Sequence, residues 1–293
     1  MERIKVASKI TEDLYKPLLE DARILHFLKQ HQKDIDFLKK YASDFFMWQE
    51  TLDKCKHCQG LFQCSQPLQG KVKTLEFDES GYLIQNFVSC KYKKKDEKKH
   101  EHERNYRLSH LSYQELEIDL KGMTEHQSME YLMVYEKMLE SIESDKGVFL
   151  HGQPGVGKTY LCIGMANYYA QNQKSVSFVK MPQLISELKQ AMYDNDFRQK
   201  QMNALKFSDI VFLDDIGAEA LSAWTRDEIL LPILEYRMNH KKKTYFTSNY
   251  ALEELLNQYI IRGEPNSKVS ALRILERIKS LAVICKLSGE SRR

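Results

Sequence analysis

No stretch of 18 apolar residues occurs in this 293-residue chain, so no membrane-crossing helix is expected. An apolar h-region is also missing behind Met1-Glu2-Arg3-Ile4-Lys5, which argues against a secretory leader and for a cytoplasmic location. Net charge is slight, +3, and by itself argues for no nucleic-acid partner. No internal repeat is visible, so a solenoid is not expected. What is present suits a globular chain of one large or two ordinary domains: 42% hydrophobic and 11% aromatic residues are enough for a real core. There are six cysteines. In a reducing compartment, clustered cysteines read as metal ligands in preference to disulfides.

The pattern changes twice along the chain. Residues 10–52 read as helical, with Ile24, Leu25, Phe27, Leu28, Ile35, Leu38 and Tyr41 near helical spacing. Residues 55–90 hold four cysteines and an expected β-hairpin, Leu75–Asp78 and Tyr82–Gln85 around Glu79-Ser80-Gly81. Lys91, Lys93, Lys94, Lys95, Lys98, Lys99 and Arg104, partly offset by Asp96, Glu97, Glu101 and Glu103, read as a solvated linker or exposed helix, with a phosphate-backbone contact as the alternative. These changes divide the chain into an N-terminal domain over 1–92, a charged linker over 93–120 and a larger domain over 121–293. In the last, strands near 147–151, 176–179, 209–215, 244–249 and 282–285 alternate with helices near 126–143, 160–169, 182–193, 225–239 and 269–280. Thr225 and Glu228 are the expected capping box of the fourth helix. Such alternation predicts an α/β fold, a parallel sheet covered on both faces.

The strongest chemical signal is Gly152-Gln153-Pro154-Gly155-Val156-Gly157-Lys158-Thr159, a complete P-loop between an expected strand and a helix beginning near Tyr160. Glycines let the backbone turn and aim its N–H groups at phosphate oxygens. Lys158 reaches the β- and γ-phosphates, Thr159 offers its hydroxyl to Mg²⁺, and the helix N-terminus faces the same anion. ATP and Mg²⁺ are therefore the expected ligands, with Gly152 to Tyr160 as the binding segment.

Ligands of such sheets bind at the carboxyl ends of the strands. Asp214 ends the apolar run Ile210–Leu213 and is expected to hold Mg²⁺, largely through water. Asp215 beside it can polarise an attacking water. Asn249, after the next strand, could orient that water, although Thr-Ser-Asn is also an ordinary strand-end turn. Lys158, Asp214, Asp215 and Asn249 are the expected catalytic set.

This set resembles that of the AAA+ ATPases, in which an Asn or Thr ending the next strand is called sensor 1. Here Asp214-Asp215 stands where general members have Asp-Glu. Resemblance to the box VII region makes Arg277 the arginine-finger candidate and Arg273, one turn earlier, the second; a surface helix paired through Glu276 and Lys279 is the alternative. Only 44 residues follow Asn249, so neither a full helical lid nor a terminal helix-turn-helix is expected. Arg292 and Arg293 are the remaining sensor 2 candidates, with a frayed tail the simpler reading.

Cys55-Lys56-His57-Cys58, Cys64 and Cys90 place four thiols within 36 residues, a pattern fitting a closed tetrahedral Zn²⁺ site that would stabilise a small domain. His57 is expected to point away, and His100 or His102 are possible replacements. Cys162 and Cys285 fall in expected core elements and read as apolar fillers.

Taken in order, the helical N-terminus, cysteine module, charged segment and lidless P-loop core resemble the bacterial DnaI-type helicase loaders, a branch of the DnaC/IstB-like ATPases. The resemblance covers nearly the whole chain and is strongest over 147–285. It implies that the N-terminal domain binds the hexameric replicative DNA helicase. It implies that the ATPase core binds single-stranded DNA and self-associates with ATP or helicase, alongside other primosome proteins, ATP binding and hydrolysis switching assembly and release. Lys241-Lys242-Lys243 and Tyr245 are a local single-strand candidate against a solvated-loop reading. Two alternatives stay open: an IstB-like transposition helper, and an ATP-holding adaptor or helicase inhibitor without useful turnover. A small-molecule P-loop kinase fits less well, for want of an acceptor lid.

Overall fold

A computed structural model describes residues 15–125 and 127–291. They form two compact units that part between Lys99 and His100.

In the first unit the stretch read as helical holds several short helices: a 3₁₀ turn Pro17–Glu20, then α1 (Ala22–Gln30), α2 (Ile35–Lys40) and α3 (Ala42–Lys54). The breaks have local causes. Asp21 and Asp34 cap the backbone N–H groups of Arg23 and Phe37, and Gln32 adopts φ +52° between them. The hairpin is longer than expected, β1 (Lys71–Phe77) paired antiparallel with β2 (Leu83–Ser89). Asp78 closes its turn by accepting from the N–H groups of Ser80 and Tyr82. Leu75 and Leu83 on the hairpin join Leu18, Ile24, Phe27, Leu38 and Phe45 in one small core. Lys91–Lys99 is a helix, α4, with no buried residue, as the exposed-helix reading requires.

The second unit is a six-stranded sheet in the order β3 (Tyr106–Ser109), β5 (Val176–Lys180), β6 (Ile210–Asp214), β7 (Thr244–Ser248), β4 (Gly147–His151), β8 (Ala282–Lys286). Every neighbouring pair is parallel. Alternate residues of the central strands feed two layers: Val211 and Leu213 enter one, Ile210 and Phe212 the other. Tyr106–Ser109 lies in the stretch read as linker, yet it pairs with β5 as an edge strand, and the Tyr106 hydroxyl donates to Asn167 Oδ1 at 2.7 Å. Four residues are too short a run to declare a strand by periodicity.

The helices are α5 (Met129–Glu143), α6 (Lys158–Gln171), α7 (Met181–Gln190), α8 (Asn195–Phe207), α9 (Leu231–Asn239), α10 (Leu252–Gln258) and α11 (Ser267–Leu281). Ser128 caps α5; the expected start at 126 lies outside the described residues. Two details depart from expectation. A second helix, α8, capped by Asp194, follows α7 before β6. The element leading into α9 is capped by Ser222, whose Oγ accepts from the Thr225 N–H at 3.1 Å. Thr225 is wholly buried three residues past Ser222, inside an element that runs as a π-helix from Trp224 to Leu230, so Thr225-Glu228 is not the cap. Arg237 on α9 is also wholly buried. Its guanidinium donates to Thr244 Oγ1 at 2.8 Å and to the carbonyls of Leu205 and Ser208, each at 2.9 Å, pinning the end of α8 to the start of β7.

Candidate nucleotide-binding site

The P-loop leaves the end of β4 and enters α6 through Gly157, whose φ of +104° is a conformation side chains avoid. Gly157 offers no side-chain cap, so the first N–H groups of α6 stay available to an anion. At the loop's other end, a Cβ on Gly152 would lie 2.0 Å from the Leu287 carbonyl oxygen. That close approach is set by β8, because the Leu287 N–H donates to the His151 carbonyl at 2.8 Å. The first glycine is thus required by the neighbouring strand as well as by the turn.

A cavity of about 590 Å³ opens beside the loop at the carboxyl ends of the strands. Pro154, Gly155, Gly157, Lys158, Thr159 and Tyr160 reach it from the expected segment. Gly152, Gln153 and Val156 do not: Gly152 and Gln153 line a neighbouring cavity with His151 and Leu287, and Val156 is buried in the layer that holds α6, where an apolar side chain anchors the loop. Lys158 Nζ donates to the carbonyls of Gly152 at 2.7 Å and Gln153 at 2.9 Å, and to Asn249 Oδ1 at 2.9 Å. Thr159 Oγ1 donates to Asp214 Oδ1 at 2.8 Å. Asn249 Nδ2 donates to Asp215 Oδ1 at 2.9 Å, so the Asn249 amide spans the lysine and the second acid. Lys158, Thr159, Asp214, Asp215 and Asn249, drawn from three elements, converge as expected.

Burial raises the Asp214 carboxyl above its ordinary value, and hydrogen bonds from Thr247 and Thr159 oppose that rise. Thr159 Oγ1 and Asp214 Oδ1 at the cavity wall are hard oxygen donors, which suits Mg²⁺. Asp215 holds φ +58° and donates its N–H to Thr247 Oγ1 at 2.8 Å. Thr247 in turn donates to Asp214 Oδ1 at 2.7 Å. One threonine therefore orders both acids, and sequence reasoning missed it; its signal was its place near the carboxyl end of β7, two residues before Asn249. Lys180 was also missed. It ends β5 in register with Asp214 and lines the cavity.

Other expectations fare differently. Arg277 donates to Glu235 Oε1 of its own chain at 3.3 Å, whereas Arg273 is exposed one turn away. Arg292 and Arg293 lie outside the described residues. The single-strand candidate of Lys241 to Lys243 with Tyr245 does not form a patch. Tyr245 is wholly buried, its hydroxyl 2.7 Å from Ser141 Oγ. Lys243 Nζ caps the carbonyls of Ser141 and Ile142, each at 2.7 Å, and Lys242 Nζ binds the Phe207 carbonyl at 3.0 Å. Tyr245 sits mid-strand in a sheet covered on both faces, so its ring is core and cannot stack on a base.

In the first unit, Cys64 Sγ accepts from the Gly70 N–H at 3.3 Å and Cys90 Sγ from the Lys93 N–H at 3.5 Å, while the Cys90 N–H returns to the Gly70 carbonyl at 2.8 Å. Gly70 holds φ +72°, and a Cβ there would lie 2.8 Å from the Lys93 Cβ. The hairpin thus carries Cys90 back beside Cys64. No three of Cys55, Cys58, Cys64 and Cys90 bring their sulfurs within 4.8 Å of one another. Cys162 and Cys285 are buried in the second unit, as expected of fillers.

Residues 73–293 match the model of the IstB-like ATP binding protein family. The chain belongs to that family. Family membership, the P-loop and the parallel sheet together place the second unit among AAA+ ATP-binding folds. The replicative helicase loader DnaI of Bacillus subtilis is 28% identical over 294 residues, spanning 97% of this IstB-like chain and 94% of the loader. The replicative helicase loader DnaC of Buchnera aphidicola is 27% identical over 162 residues, 54% of this chain and 60% of that one. A crystal structure of DnaI superposes with a TM-score of 0.57 at 31% identity, covering 64% of this chain and all of that one. Among the described residues, no helix is long and apolar enough to cross a membrane.

Proposed function

We propose that this protein is a cytoplasmic, ATP-dependent loader of the hexameric replicative helicase onto single-stranded DNA, acting in the initiation or restart of replication. The observation that carries the proposal is the span of the likeness to the Bacillus subtilis loader, 97% of this chain, which takes in the N-terminal unit as well as the ATP-binding one. A transposition helper sharing only the IstB-like core would not require that span.

In this reading Lys158, Thr159 and Asp214 hold Mg–ATP. Mg²⁺, when bound, polarises the phosphate oxygens. Lys158 now rests on Gly152, Gln153 and Asn249. A γ-phosphate competes for that ammonium and so disturbs the Asn249 amide, which in turn orients Asp215. Asp215, placed by Thr247 and Asn249, is the base that takes a proton from the attacking water. Arg277, or Arg273 beside it, contributes positive charge to a neighbouring subunit's site, Arg277 having first to leave Glu235. Turnover is slow and modulated by DNA or helicase, and the ATP-bound state self-associates.

The first unit carries the helicase-binding role. Cys55, Cys58, Cys64 and Cys90 would hold Zn²⁺ there, their sulfurs having first to draw together. Backbone N–H groups donate to two of these sulfurs, and the Gly70 whose N–H reaches Cys64 accepts from the Cys90 N–H at the end of the paired strands. The test is loading of the host ring helicase onto circular single-stranded DNA by the full-length protein with ATP. Loading is expected with the wild type and lost with Lys158→Ala. Failure of the wild type to retain the helicase, with capture of a transposase instead, would overturn the assignment in favour of the transposition helper.

A further inference from the structure

Lys180 stands outside the motifs of the nucleotide site yet shares its cavity. It ends β5 directly opposite Asp214 in the sheet register, and it reaches the cavity alongside Thr159, Asp214 and Asp215. Among the described residues lining that cavity, Lys158 and Lys180 are the cations. They are held differently. Lys158 is buried and bonded within the loop itself. Lys180 is about one-third exposed, and its Nζ lies 3.4 Å from Glu115 Oε1, a long contact between flexible side chains.

The Lys180 backbone is fixed, because its N–H donates to His110 Nδ1 at 3.2 Å. Glu115 is fixed too. Its Oε2 accepts from the Ser112 N–H at 2.7 Å, while its own N–H donates to Ser112 Oγ at 3.3 Å. The ammonium between these anchors is the movable part. Glu115 and the phosphates of a bound nucleotide are rival partners for it, and a phosphate oxygen is an acceptor at least as good as a carboxylate.

We propose that Lys180 is a nucleotide-discriminating residue: parked on Glu115 in the free protein, it transfers to the terminal phosphate of a bound nucleoside triphosphate, so that a triphosphate strips the Glu115 carboxylate of its lysine and a diphosphate does not. The inference rests on the nucleotide-binding reading of the P-loop cavity. It gives the protein a way to report the γ-phosphate to the segment preceding the core, separate from Asn249.

The test is equilibrium binding of fluorescent ATP and ADP analogues, with Mg²⁺, to the full chain and four variants. Lys180→Gln is expected to weaken ATP about tenfold, the size of one lost charge-assisted contact, and to leave ADP nearly unchanged. Glu115→Gln frees the lysine in advance and is expected to tighten ATP selectively. Lys180→Arg keeps the charge and is expected to keep the ATP preference, which guards against reading a folding defect as a binding effect. An ATP-to-ADP affinity ratio that Lys180→Gln leaves unchanged overturns the proposal, whether both affinities hold or fall together. Lys158→Ala separates the two levels: if it binds both nucleotides like the wild type, the nucleotide-site reading itself fails, whereas its loss of both beside an unchanged ratio in Lys180→Gln defeats only the role of Lys180.

Discussion

Asn249 Oδ1 lies 2.9 Å from Lys158 Nζ, joining residues 91 positions apart, the lysine opening α6 and the asparagine following β7. The same amide donates to Asp215. The ATP-anchoring lysine and the acid meant to activate water are thus coupled through one side chain. Asn249→Ala is expected to bind ATP within a few-fold of wild type, while turnover falls on the order of a hundredfold as Asp215 loses its orientation. Nucleotide titration beside phosphate-release kinetics checks this; equal losses in binding and turnover would show that the amide serves only to hold the lysine.

Thr247 carries more than its inconspicuous place suggests. Its hydroxyl gives one hydrogen bond to Asp214 and takes one from the Asp215 backbone. Thr247→Val keeps the shape and removes both, leaving a buried carboxylate with one donor fewer. Stability is expected to fall by about 2 kcal/mol, read from urea unfolding, with weakened Mg²⁺ dependence of ATP binding.

The Asp214 carboxyl has its affinity for protons raised by burial. As pH falls through this raised value, the folded chain takes up a proton before the unfolded chain does. The ionised group therefore costs the free protein stability at neutral pH, and that cost lifts on acidification. Mg²⁺ needs the carboxylate, so Mg–ATP affinity runs the other way and weakens as pH drops. Asp214→Asn is expected to melt higher than wild type without nucleotide and to show no further rise with Mg–ATP. Thermal melts at neutral and mildly acidic pH read both effects.

Metal analysis of protein purified under reducing conditions is expected to find one zinc ion per chain. Cys64→Ser should lower the zinc content and helicase binding together, while nucleotide binding by the second unit persists. Stoichiometric purification without zinc would remove the metal from the account.

For the arginines, mixing is the informative measurement. Arg277→Ala protein combined with Lys158→Ala protein is expected to regain ATPase activity, since each supplies what the other lacks across a subunit boundary. If Arg273→Ala needs such rescue and Arg277→Ala does not, the trans role belongs to the exposed arginine and the bond to Glu235 is structural.

The nucleotide site was legible because its chemistry is written contiguously or at strand ends. Gly152 to Thr159 is one segment, Asp214 ends an apolar run that reads as a buried strand, and Asn249 follows a short strand ending in polar residues. The parts that were not legible depend on neighbours in space. Thr225 resembled a helix cap in sequence, but Ser222 reaches its N–H first, and Thr225 is drawn inside. Lys242, Lys243 and Tyr245 had the composition of a strand-tracking patch, but the sheet buries the tyrosine and orphan carbonyls take the lysines. Tyr106–Ser109 is too short to declare itself and is a strand only because β5 offers an open edge.

By itself, then, the sequence determined the chemical inventory: a P-loop, two acids after a buried strand, a strand-end asparagine, a cysteine module and the alternation that makes a parallel sheet. It could do so because backbone geometry near a phosphate and burial on both faces of a strand restrict residue choice locally. Tertiary structure alone decided which side chains act together. Asp214 and Thr247 are 33 positions apart, and Glu115 and Lys180 are 65 apart; nothing in their local sequence pairs them. Their partnership follows from the strand order, β5 and β7 flanking β6, and from the register that brings three strand ends to one cavity.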